Sequence, residues 1–160
     1  MSTLRLTLAS VLVAWMSVGC LAPATPAQRV TDAARELNYA ARFGRLDLAA
    51  ALAADGARSH FLERRATWGK DVRVVDVQMT GLSLDEDGKT ALITVDVAWT
   101  RIDEGSLLST RLGQVWKDQP GGWKLVRERR IQGDLGLFGE HVEVIKPPSP
   151  DVHFASKTIR

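Results

Sequence analysis

The chain has almost no cysteine. Cys20 is the only one among 160 residues, so no disulfide can form within the chain and the core alone must hold the fold. Histidine is scarce too: His60, His141 and His153 lie far apart, without H-x-x-x-H spacing, and neither a metal site nor a cofactor is expected. There is no excess of one charge. The 21 Lys and Arg against 19 Asp and Glu are interspersed and net +2, which offers no electrostatic footprint for nucleic acid. A membrane-spanning run is also missing, because the apolar stretch from Leu6 to Val18 is too short to cross a bilayer.

That stretch is nonetheless the clearest local signal. It follows one basic residue, Arg5, and ends in Ser17-Val18-Gly19-Cys20. Residues 1–19 therefore read as a cleavable export signal. The small Gly19 followed by the lone cysteine resembles the lipobox of bacterial lipoproteins, where cleavage leaves a diacylglyceryl-modified cysteine at the new N-terminus. The other reading is an ordinary secretory signal followed by a chance cysteine. Acylation of Cys20 would remove the oxidation liability of an unpaired thiol in an exported protein. The resemblance implies three acyl chains in a Gram-negative host, and more than one chain is what stable anchoring requires. Leu21, rather than Asp, after the cysteine points to the outer membrane, with the protein facing the periplasm. Cleavage would remove Arg5 and no acid, leaving 141 residues of net charge +1. That is one domain, able to bury roughly two thirds of its unfolded surface.

Residues 20–28 read as the lipidated cysteine and a Pro/Ala-rich tether. From Thr31-Asp32, which offer capping oxygens, Val30, Ala33, Ala34, Leu37, Ala40 and Ala41 recur at helical spacing as far as Phe43-Gly44. Asp47 can cap a second short helix that Asp55-Gly56 stops, and a third helical segment runs from Ser59 to Thr67. The period then changes. Val72 to Leu84, Thr90 to Ile102, Leu107 to Lys117 and Trp123 to Ile131 are rich in β-branched residues and separated by turn signals. Asp87-Gly88 and Glu104-Gly105 suit two-residue hairpins, and Pro120-Gly121-Gly122 marks a longer loop.

The hairpin registers can be set against the apolar pattern. A turn at Glu104-Gly105 pairs Trp99 with Thr110, Val97 with Leu112, Val95 with Gln114 and Ile93 with Trp116. The next loop can pair Trp116 with Trp123 and Leu108 with Ile131. Asp87-Gly88 pairs Leu82 with Ile93. Keeping Val75, Val77 and Met79 on the same face then requires one extra residue, so a β-bulge is predicted at or beside Gly81. The expected class is α+β: N-terminal helices packed on a long, bent, four-stranded antiparallel meander.

Helical Ala34–Phe43, the Gly44-Arg45-Leu46-Asp47 lead into helix two, and Val115-Trp116-Lys117 … Gly121-Gly122-Trp123-Lys124 resemble the NTF2-like (SnoaL/ketosteroid-isomerase) cone fold over about residues 30 to 132. The domain is placed at 29–145, with 146–160 as a Pro-rich linker and tail. The apolar, glycine-punctuated Gly133–Gly139 must pack or lie exposed, and His141 to Ile145 reads as a short extra strand. The superfold hosts isomerases, hydrolases and inert adaptors, so function depends on the site. Alternation places Asp76, Gln78, Thr94, Asp96, Arg111, Glu128 and Arg130 on the outer face, with Asp96 and Arg111 close enough for a surface ion pair. Facing inward are Gln114, Thr110, Arg127 and Arg129, with Tyr39 and Trp68 from the helices. The tryptophans read as core, with Trp68 at a possible pocket rim.

Arg127 and Arg129 could bind an anion at the cone mouth, lie where the strand leaves the core, or pair with Asp47 or Glu36. No inward Asp, Glu or His is evident from the strands, so no catalytic residues are expected. The leading reading is a lipid-anchored cell-envelope binding or scaffold module without catalytic activity. Its partners would be the membrane, through the anchor, and an envelope protein or a second copy. The alternative is a carrier of a small hydrophobic or anionic ligand, with Tyr39, Trp68, Trp99, Gln114, Arg127 and Arg129 at the wall. An NTF2-like isomerase or hydrolase comes third.

Overall fold

The structure, a computed structural model, describes residues 23–140. Cys20, the proposed strand at His141 to Ile145 and the tail 146–160 lie outside the described residues. Three helices, α1 (Pro26–Arg42), α2 (Leu46–Ala51) and α3 (Asp55–Glu63), precede four strands, β1 (Val72–Leu84), β2 (Thr90–Arg101), β3 (Leu107–Gln119) and β4 (Gly122–Gly133). The strands form one antiparallel sheet in the order β1-β2-β3-β4. This is the α+β meander expected.

Helix α1 starts earlier than its apolar period suggests. Thr25 caps it, accepting from the Gln28 N–H while Gln28 Oε1 accepts from the Thr25 N–H, and Pro26 occupies the first turn. This capping box places the helix start inside the stretch read as tether. Thr31 and Asp32 lie within the helix, where Asp32 pairs with Arg35. The far end closes in a Schellman motif: Gly44, with φ +73°, and Arg45 donate to the carbonyls of Ala41 and Ala40. Asp47 does not cap α2, which has Arg45 before it and no side-chain cap. Asp55 opens α3 rather than ending α2.

The helices bury one face against the concave side of the sheet. Val30, Ala34, Leu37, Ala40 and Ala41 of α1 meet Ile93, Val95, Val97, Trp99, Leu112, Trp116, Trp123 and Leu125 in a single core. The small alanines let α1 and α2 approach closely. Where α2 meets α3, the Ala54 N–H donates to the Leu125 carbonyl and the Leu125 N–H to the Leu52 carbonyl, which ties the helical layer to the β4 edge. Among the described residues, no helix is long and apolar enough to cross a membrane.

Register is where the structure departs from the sequence pattern. The first hairpin matches: Leu82 lies opposite Ile93, and the ladder shifts between Met79 and Gly81 as expected. A second bulge, between Val74 and Asp76, was not foreseen; it leaves Val75 exposed and sends Val72 and Val74 inward with Val77. The second hairpin is displaced by two residues. Trp99 faces Leu108 and Ile93 faces Gln114, because residues 102–106 form a longer loop in place of a two-residue turn. The third is displaced likewise, with Trp116 opposite Leu125 and Asp118 opposite Trp123. An even displacement leaves every side chain on its expected face, since the side-chain period is two. Strand β4, however, carries two further bulges, with Val126 and Ile131 as the extra residues. Each reverses the alternation beyond it.

On the outer face the expected ion pair forms. Both Arg111 Nε and Nη2 donate to the Asp96 carboxylate, at 2.6 and 2.8 Å, and these bonds hold its carboxyl below the usual range.

Strand β4 ends at Gly133, with φ +92°, where an added Cβ would collide with the Ser109 carbonyl oxygen and approach Thr110 Cα to 2.9 Å. Gly133→Ala is expected to cost about 2 kcal/mol or more, because neither the dihedral nor the contact can relax cheaply. Gly56→Ala, in α3 with open space around it, should be neutral or gain up to about 1 kcal/mol. Urea unfolding of both variants checks the contrast; equal effects would contradict the assigned β4 end.

Candidate functional site

The bulge at Val126 decides what fills the cone. With Val126 inserted, Glu128 comes to lie opposite Gln114 and therefore on the inner face, while Arg127 and Arg129 oppose Val115 and Gly113 on the outer one. The inward and outward residues expected of this strand are thus exchanged. Arg127 and Arg129 are exposed, outside the cone, and make no ion pair with Asp47 or Glu36. Glu128 is a buried carboxylate, its side chain only 4% exposed.

Its counter-ion is Arg65, which the turn after α3 sends into the core with its side chain 1% exposed. Arg65 Nη2 reaches both carboxylate oxygens, at 2.9 and 2.8 Å, and Nη1 donates to the Phe61 carbonyl. The guanidinium lies 3.8 Å above the Phe61 ring and 4.8 Å from that of Trp68. Burial pushes the Arg65 guanidinium down from its ordinary value, and Glu128 opposes the shift. Pairing is what makes such a charge tolerable in the interior.

Glu128 also accepts from Gln114 Nε2 at 2.9 Å, and Gln114 in turn exchanges two amide hydrogen bonds with Asn38. Asn38 Nδ2 donates to the Ala34 carbonyl and Trp116 Nε1 to Gln114 Oε1. One connected polar chain thus links α1, β3, β4 and the turn after α3. Nearer the mouth, Trp99 Nε1 donates to Thr110 Oγ1, whose own proton goes to the Asp134 carbonyl. The glycine-punctuated loop after β4 then covers the opening. Leu137 is fully buried, its carbonyl accepts from Trp68 Nε1, and Phe138 stacks on Trp68 and under the Arg64 guanidinium, 3.7 Å away. Gly136 permits the approach, since a Cβ there would fall 3.1 Å from Trp99.

Of the six residues expected to line a ligand cavity, Trp99 and Gln114 are inside, buried and hydrogen-bonded. Trp68 is half-buried, beneath the protein's own Leu137 and Phe138. Tyr39 is 46% exposed on α1, and Arg127 and Arg129 are on the outer side of the sheet. These residues do not converge. Sequence reasoning missed Arg65, Glu128 and Asn38. For Arg65 a signal existed: Phe61, Arg65 and Trp68 follow helical spacing, so the arginine shares its face with two aromatics. For Glu128 there was none, because its side depends on a bulge. Both Glu128 oxygens are occupied by donors, and that carboxylate acts as a structural clamp. Among the described residues no cluster of His, Cys, Asp and Glu has the geometry to hold a metal ion.

No protein-family model matches the chain, and no curated protein matches it. Solved structures similar in fold include the intermembrane-space region of chloroplast protein ARC6, at 10% identity over 68% of this chain and 98% of that one, with a TM-score of 0.48. A cystatin-like-fold protein of unknown function from Nostoc punctiforme shares 10% identity over 67% and 90% of the two chains, with a TM-score of 0.47. An NTF2-like protein from Cytophaga hutchinsonii shares 14% identity over 63% and 93%, with a TM-score of 0.45.

Removing one member of the buried pair should be severe and removing both mild. Glu128→Gln is expected to cost about 3–5 kcal/mol by leaving the Arg65 charge buried and uncompensated, and Arg65→Met combined with Glu128→Gln should recover most of that loss. Chemical denaturation of the single and double variants measures the coupling. A cost below about 1 kcal/mol for Glu128→Gln would mean that the pair does not clamp the cone.

Proposed function

We propose that this protein is a lipid-anchored module of a bacterial cell envelope, built on an NTF2-like cone, that acts by binding through its surface and not by catalysis or carriage in its interior. The observation that supports this most directly is the Arg65–Glu128 pair. Together with Gln114, Asn38, Trp99 and Trp116 it occupies the space in which a cone-type enzyme or carrier would hold its ligand. A substrate there would have to displace a connected, hydrogen-bonded polar chain and the Leu137-Phe138 cover.

The anchoring half of the reading rests on Ser17-Val18-Gly19-Cys20. Five residues separate Cys20 from Pro26, the first residue of α1. An extended chain of that length reaches roughly 17–20 Å. An acylated Cys20 would therefore hold the N-terminal end of α1 close to the lipid headgroups. The opposite end, with exposed Phe43 and Ile102, lies about 25 Å along the helix axis from there, turned toward whatever the envelope presents. An envelope protein or a second copy of this chain would meet that distal surface.

Two measurements test the reading in the full chain. In its bacterial host, Cys20→Ala should abolish incorporation of labelled palmitate and release the protein from the membrane fraction; continued acylation would refute the anchor. Benzene, a neutral probe that enters dry apolar cavities, should show no contacts with the Trp99 or Trp116 ring protons by NMR. Saturable contacts to either ring would mean an open cone and would put the carrier reading ahead of this one.

A further inference from the structure

The arginines displaced from the cone lead to a second feature. An open groove of about 410 Å³ runs between α3 and the middle of β4, bordered by Ala57, His60, Arg64, Val126 and Arg127, with Phe61 and Leu125 at its base. Its volume lies within the range of small-molecule sites.

The groove's charge is one-sided. Seven arginines elsewhere in the described residues hold carboxylate partners. Arg127 has neither an ion pair nor a side-chain hydrogen bond among them. Arg64 is held in place by the Glu128 carbonyl, at 2.7 Å, and by the Phe138 ring, both uncharged. The only acid in the lining is Glu128, whose carboxylate is turned into the cone and matched there by Arg65. At the start of α3, Asp55 pairs with Arg58. The insertion of Val126 thus has two effects. It carries the acid inward to clamp the core, and it leaves the groove with Arg64, Arg127 and His60 and no facing carboxylate.

We infer that this groove binds a small amphipathic anion: a carboxylate or phosphate carried on an apolar group, the acid meeting Arg127 and Arg64 and the apolar part lying along Val126 and the base. Charge-assisted bonds from arginine to either oxyanion are among the stronger polar contacts available at a surface. The inference depends neither on the modification of Cys20 nor on the cone being filled, and its failure would leave both unaffected.

The test is calorimetric titration of the full chain with decanoate, with decanol as the uncharged counterpart, alongside sedimentation with phosphatidylglycerol and phosphatidylcholine vesicles. Decanoate should bind and decanol should not. Arg127→Gln should weaken binding at least tenfold, and Ala57→Glu, which places a carboxylate on the groove wall at a half-buried helical position, should abolish it. Arg129→Gln, outside the lining, should bind as the parent does, and thermal melts should establish that all three variants are folded. Binding to phosphatidylglycerol vesicles alone, with the same dependence on the variants, would assign the anion to a lipid headgroup; binding of decanoate would assign it to a free acid. Absence of both, equal binding of decanol, or indifference to Arg127→Gln and Ala57→Glu would overturn the proposal.

Discussion

The Arg65–Glu128 ion pair is the constraint on which the rest of the interior depends. Two charges that are almost entirely removed from water are stable there only when paired and hydrogen-bonded, and of the polar side-chain atoms of these two residues only Arg65 Nε lacks a partner. That requirement places the turn after α3 directly over β4. It also orients Gln114 to bridge Glu128 and Asn38, and so fixes α1 against the sheet. The aromatic rings around the guanidinium, Phe61 and Trp68, cover its faces while its edge makes the hydrogen bonds. Helices and sheet are thus joined by a directional polar connection as well as by apolar packing, and polar connections tolerate little slippage.

The same pair bears on function. A curved sheet closed by helices can enclose either a ligand or its own side chains, and here two tryptophans, a glutamine and an ion pair take the space. The loop after β4 completes the closure with Leu137 and Phe138, while Thr110 and Trp68 hold its backbone. The exterior is chemically varied. It carries an apolar end with Phe43 and Ile102, a bidentate ion pair on the outer sheet face and a cationic groove along β4.

Particular elements explain how far the sequence could be read. The hairpin at Asp87-Gly88 was legible because Asp85 and Asp87 accept from the Lys89 and Thr90 backbone, a local contact that needs no distant partner. The bulge beside Gly81 was legible because two apolar sets of opposite parity flank it. The two displaced registers were not, since loop length trades against pairing by two residues without altering any face. Of the residues expected to face inward, Trp99, Gln114 and Thr110 were placed correctly by alternation, as strand β3 and its neighbour β2 pair without interruption between them. Tyr39, Arg127 and Arg129 were misplaced for separate reasons: a helix position with a polar tip can lie on either side of a stripe, and alternation along β4 is broken at Val126.

By itself, then, the sequence determined the class, the element order, the shared apolar face and the local signal around Cys20, all of which follow from short-range periodicity and residue chemistry. Tertiary structure alone decided which way Glu128, Arg127 and Arg129 point. In the run Leu125-Val126-Arg127-Glu128 both Leu125 and Val126 can face a core, so alternation allows the strand to continue either straight or bulged. The choice is settled by a residue 63 positions earlier in the chain: Arg65, once buried, needs a carboxylate, and the strand supplies one by inserting a single residue.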